Sequence, residues 1–150
     1  MPRIRRVALV VLATLAAACA GAEESSSVAG RYVVEPAEGG SFSRRSNSLD
    51  WVVVLASDGT FVEGNYDPRE AQWHTSEERR GAGSWRVTSD GDLYLEYRRY
   101  WGVDVSKLPE LAQQKGIDIA ELGQPVSKYR RDDDASWVRH SGGLRMVRSE

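Results

Sequence analysis

From Gly30 onward the chain alternates apolar and polar residues with a period of two and interrupts the alternation with glycine turns, which restricts it to antiparallel β structure. Residues 30–35 form one such run, ending at Pro36. Leu49, Trp51, Val53 and Leu55 alternate with Asp50, Val52, Val54 and Ala56 in the strongest run. Ser57-Asp58-Gly59 follows, where glycine after aspartate supplies the positive φ of a tight hairpin, and 60–66 returns as the next strand. The device repeats at 84–87, Ser89-Asp90-Gly91 and 93–97, and again at 137–139, Ser141-Gly142-Gly143 and 144–147. Val126 to Arg130 is the expected partner strand of the last hairpin, joined to it by the acidic bend Asp132-Asp133-Asp134. The expected fold is all-β: seven or eight short antiparallel strands, closed or nearly closed into a barrel that leaves no edge exposed.

Two stretches interrupt the alternation. Residues 67–80 are a polar loop with Pro68, Trp73 and His74. Residues 106–123 read as a helical insert, with Ser106 as cap, Pro109 in the first turn, Leu108, Leu111 and Ala112 on one face, and Gly116 as the stop. A second short helix is expected over 118–123. The insert most simply packs across one barrel mouth. Five Trp and six Tyr supply the bulk of the core, since each such ring buries about 150–250 Å². Trp51, Phe61, Trp85, Tyr97 and Trp137 are expected inside, filling the barrel without a sizeable cavity, with Leu108, Leu111 and Leu122 plugging its mouth.

The first 18 residues do not belong to this pattern. Arg3, Arg5 and Arg6 precede an apolar run of 12 residues, Val7 to Ala18, shorter than the roughly 20 a membrane-spanning helix needs. They read as an export signal. At 150 residues the chain has room for one domain. The expected organisation is a signal peptide at 1–18, a lipidated cysteine and flexible tether at 19–28, and the barrel at 29–150. Leu15-Ala16-Ala17-Ala18-Cys19 resembles the lipobox of bacterial lipoproteins, with Ala16 at the place usually held by leucine. The resemblance implies cleavage before Cys19, diacylation of its thiol and anchoring to a membrane outside the cytoplasm. Two or three acyl chains hold where a single one is marginal. Ala20 in place of aspartate implies outer-membrane sorting in a Gram-negative host. Cys19 is the only cysteine, which excludes an intrachain disulfide framework and a Cys-based zinc finger. Removal of 1–18 takes away three arginines and no acid, leaving 17 basic against 22 acidic residues. Such a domain has neither a nucleic-acid footprint nor a general pull toward anionic lipid, so no nucleic-acid partner is expected.

Gly30-Arg31-Tyr32, Asp58-Gly59-Thr60-Phe61, Gly83-Ser84-Trp85 and Gly91-Asp92-Leu93-Tyr94-Leu95 together resemble the small lipocalin-like barrels of bacterial lipoproteins, such as the copper-resistance and stress-sensing group. The resemblance runs from Gly30 to about Tyr97. That group carries a Cys-x-x-Cys pair which this chain lacks, so copper binding and thiol sensing do not carry over.

The chain has no nucleophile elbow, His-Glu-x-x-His, P-loop or dinucleotide glycine motif. No catalytic residues, metal or cofactor are expected. His74 beside Glu77 and Glu78 is a poor metal site, because transition metals favour two or more nitrogen or sulfur ligands. The run 132–134 lacks the alternating acids of a calcium loop. Arginine pairs recur at 44–45, 79–80, 98–99 and 130–131, and each pair can give one guanidinium to a shared surface suited to an anion. Residues 108–122 superficially resemble a helix-turn-helix, but the second helix is short and acidic, and a structural lid fits better. The expected function is a non-catalytic interaction or structural module of the cell envelope, with an envelope protein as its partner and Trp73, His74, Arg79, Arg98 and Arg130 as contacts for that partner or for a small ligand. A carrier or sensor of a small apolar or anionic ligand is the alternative.

Overall fold

The computed structural model describes residues 27–38, 49–100, 102–116, 125–133 and 135–149. The signal segment, Cys19, Arg44, Arg45, the short helix over 118–123 and Leu122 lie outside the described residues. Ten strands follow in chain order: β1 (Gly30–Pro36), β2 (Asp50–Leu55), β3 (Thr60–Asp67), β4 (Gln72–Trp73), β5 (Gly81–Val87), β6 (Leu93–Tyr100), β7 (Val103–Asp104), β8 (Val126–Asp133), β9 (Ser136–Arg139) and β10 (Leu144–Ser149). A helix, α1 (Leu108–Lys115), stands between β7 and β8 among the described residues.

Eight of these strands close an antiparallel barrel in the order β1, β2, β3, β5, β6, β8, β9, β10. The last strand pairs with the first, from Arg31 opposite Ser149 to Pro36 opposite Leu144. β4 and β7 are two-residue extensions, on β3 and β6 respectively. The barrel is the lipocalin-like antiparallel architecture expected from the alternation, and its turns use the expected chemistry. Asp58 accepts from the backbone N–H of Thr60 at 2.9 Å and from its hydroxyl at 2.6 Å, while Gly59 takes φ 83°. Gly142 and Gly143 carry the β9–β10 turn at φ 76° and 81°, a region where side chains are strained.

Because neighbouring strands are antiparallel, β1, β3, β6 and β9 end at one mouth, where β2, β5, β8 and β10 begin. The three long connections leave from this mouth, between β1 and β2, β3 and β5, and β6 and β8. The opposite end has short turns and is closed by the start of the domain. Val28, at the end of the expected tether, is 1 % exposed and sits in the core cluster. The Tyr32 hydroxyl donates to its carbonyl at 2.7 Å, and Arg148 donates to the carbonyls of Ser27 and Ala29 at 2.8 and 2.5 Å.

Side chains fill the interior. Phe61, Trp85, Tyr97 and Trp137 belong to the core cluster, and Trp51 packs against it half-buried, as the alternation predicts. Leu93, Leu95, Met146, Tyr129 and Tyr32 complete it. The insert departs from expectation in two details. Its cap is Asp104, whose carboxylate accepts from the Ser106 N–H at 2.9 Å and hydroxyl at 2.6 Å, so a 3-10 turn over Val105–Lys107 precedes α1. That turn directs Val105 against the barrel core, whereas Leu108 and Leu111 are half-buried outside the core cluster. Those two leucines do not plug the barrel. Gly116 ends α1 at φ 64°, as expected.

Candidate functional site

The polar loop between β3 and β5 is ordered by its own backbone. His74 and Thr75 both donate to the Asn65 carbonyl, at 2.9 and 3.2 Å, and the Thr75 hydroxyl accepts from the Asn65 N–H at 2.8 Å. His74 and Arg79 line an open groove of about 880 Å³ together with Asn65, Thr75, Ser76, Glu78 and Gly102. Trp73 is not in that lining. β4 ties it back onto β3, with its ring edge-on to Tyr66 at 5.6 Å and the Arg80 guanidinium over it at 4.9 Å. Arg98 is exposed and close enough to Asp104 to help hold that carboxyl below its usual range, after the larger effect of the Ser106 hydrogen bonds. Arg130 is exposed on β8, opposite Val138, and does not line the groove. The predicted contacts thus do not form one patch, and the groove brings together two of the five.

The arginine pairs divide their labour. Arg79 stays exposed, while Arg80 donates to the Thr75 carbonyl at 2.9 Å. Arg98 stays exposed, while Arg99 donates to the Arg80 carbonyl at 2.8 Å. In these two pairs one partner is used to hold the β5 entry in place. Arg130 and Arg131 are both exposed, and Arg131 lies over the Trp137 ring at 5.1 Å. The described arginines form no ring at one rim.

The most unusual chemistry lies inside the barrel. Glu63, in the middle of β3, is 5 % exposed and points into the interior beside Phe61. The Tyr97 hydroxyl donates to its carboxylate at 2.9 Å, and the Trp51 indole lies close enough to favour its charged form slightly. Burial pushes the carboxyl up to about 7, against the weaker opposing effects of the Tyr97 hydrogen bond, the Arg139 charge and the nearby Trp51 indole. Arg139 closes β9, is half-buried, and donates to the buried Ser127 hydroxyl at 3.3 Å. Burial, followed by the Glu63 charge, pushes the Tyr129 phenol up to about 12, and the same two causes raise Tyr97 beyond the range of ordinary solution chemistry. Glu63, Arg139, Tyr129, Tyr100 and Trp51, with Val34 and Leu144, line a cavity of about 30 Å³. That is room for about one water molecule.

Local sequence makes this arrangement possible. A Cβ on Gly81 would lie 2.5 Å from the Glu63 Cγ and 2.7 Å from Oε1, so the glycine opposite Glu63 on β5 leaves the volume that the carboxyl occupies. The sequence reading placed Trp51 and Tyr97 inside but passed over Glu63, Tyr129 and Arg139. The signal was parity: Glu63 lies two residues from Phe61, and Arg139 two from Trp137, so each shares the inward face of an expected core ring. The chain matches no known family and no curated protein.

Proposed function

We propose that this chain is an exported, lipid-anchored module of a bacterial envelope whose filled barrel is a rigid scaffold for protein contacts at its open mouth. The observation that carries this reading is the occupied interior. An eight-stranded barrel is just wide enough to be filled by side chains or to hold one small ligand. Here rings pack the described interior, and the cavity of about 30 Å³ beside Glu63 is far below the roughly 300–1,000 Å³ of small-molecule pockets. The exposed groove with His74 and Arg79 offers donors, acceptors and both charges on ordered backbone, which suits a polar protein surface better than an apolar ligand. Cys19 would carry the anchor and Ala20 would direct outer-membrane sorting in a Gram-negative host. The role is non-catalytic.

One variant tests both halves. Cys19→Ser should move the protein from the detergent phase to the aqueous phase. The same variant, titrated with a fatty acid while tryptophan fluorescence is followed, should show no saturable binding. Unchanged partitioning would remove the anchor. Stoichiometric binding at micromolar concentration or tighter would replace the scaffold with a carrier.

A further inference from the structure

A carboxyl buried in an aromatic interior needs a countercharge or a proton. Glu63 has no ion pair within 4 Å among the described residues, and the one cation acting on it is Arg139. The other groups around it come from every neighbouring element. β2 contributes the Trp51 indole, β6 Tyr97 and Tyr100, and β8 Tyr129. β5 contributes Gly81 without a side chain, and β1 and β10 contribute Val34 and Leu144. Burial keeps the Tyr97 and Tyr129 phenols neutral in mild acid and mild alkali, so they supply hydrogen bonds and no charge.

Arg139 is placed to move. Its bond to Ser127 is long at 3.3 Å, it is half-exposed, and it ends its strand at the mouth. The cavity it shares with Glu63 leaves room for about one water molecule beside the two groups. The next residue, His140, donates its backbone N–H to the Lys128 carbonyl at 2.9 Å and sets its ring 3.2 Å from Asp92, which holds the backbone beside Arg139 in place while its side chain stays free to swing.

We propose that Glu63 and Arg139 form a proton-operated latch at the open mouth of the barrel. With the carboxyl protonated, Arg139 rests on Ser127. Loss of the proton draws the guanidinium inward onto the carboxylate and away from Ser127. The mouth then differs by one charge between mildly acidic and mildly alkaline surroundings. This latch does not depend on export or anchoring.

The test is a nuclear magnetic resonance titration of the full chain in detergent micelles from pH 5 to 9, reading the Glu63 side-chain carboxyl carbon and the Arg139 Nε–H. The Glu63 signal should titrate with a midpoint near 7, and Arg139 should move with the same midpoint. Glu63→Gln should abolish the Arg139 movement, and Arg139→Gln should raise the Glu63 midpoint by removing the attracting charge. His140→Gln should leave both transitions in place, which separates the latch from changes in the His140–Asp92 contact at the corner. A Glu63 midpoint below about 5, the ordinary carboxylate range, would overturn the proposal. So would an Arg139 signal that stays still, or one that still moves in Glu63→Gln.

Discussion

Gly83 is the position where one added carbon should do the most damage. A Cβ there would lie 1.9 Å from the Glu96 carbonyl oxygen, 2.9 Å from its carbon and 3.0 Å from the Arg98 nitrogen. All three are backbone atoms of β6, at the register shift between Ala82 and Gly83, so no side-chain rotation can relieve the clash. Restoring ordinary contact needs a displacement of roughly 1.5 Å between the two strands, taking about 3.4 Å as the closest comfortable approach. That separation breaks the pairing of Gly83 with Tyr97 and Ser84 with Glu96, and it pulls Tyr97 from Phe61, whose rings meet edge-on at 5.0 Å. Two hydrogen bonds at about 1 kcal/mol each, together with about 1–3 kcal/mol for strained packing, exceed the roughly 0.5–1 kcal/mol that alanine gains over glycine through the unfolded chain. The net cost of Gly83→Ala is about 3 kcal/mol. For a domain of this size that is a fall of roughly 12 °C in Tm. Gly91→Ala is the control. A Cβ at Gly91 meets nothing within 4 Å, so only its φ of 82° opposes the change, at about 1 kcal/mol. Thermal unfolding followed by circular dichroism compares the two. If Gly83→Ala melts no lower than Gly91→Ala, the β5–β6 register at the bulge is refuted.

Two further predictions concern the interior. Glu63 holds its proton up to about 7 in the folded chain, whereas an exposed glutamate releases it near 4.5, so its own contribution to stability is complete below 4.5 and is lost as pH rises from there through about 7. The loss by pH 8 is about 3 kcal/mol, and Glu63→Gln should abolish that decline; parallel stability curves for the two proteins would show that the carboxyl is not buried. Trp85→Phe should cost about 2 kcal/mol, because the indole N–H donates to the Ala56 carbonyl at 2.8 Å and the smaller ring leaves a gap in the core. A loss under about 0.5 kcal/mol by denaturant titration would count against that packing.

Strand positions, turns and the inward rings were legible in the chain because each depends on neighbours a few residues apart. Asp58 and Gly59 form their turn with Thr60, and Phe61, Trp85 and Trp137 follow from alternation within single strands. The helix stop at Gly116 is equally local, although the cap moved from Ser106 to Asp104, since a carboxylate two residues before an N–H reaches it without help from the rest of the fold. Parity alone also turns Glu63 and Arg139 inward, but it does not say what they meet there.

The tertiary structure decided that. Tyr97 reaches Glu63 across 34 residues of sequence, and the β3–β5 pairing puts Gly81 opposite it. Pairing of β10 with β1 brings the last strand to the first and closes the interior around these groups. The state of a buried carboxyl depends on how much water is excluded and how far away the nearest cation lies. Both are distances between residues remote in the chain, and no periodicity within a strand encodes them. The sequence by itself therefore determined which residues form strands and which side chains face inward. Closure of the barrel determined that one of those side chains is an acid able to keep its proton near neutrality.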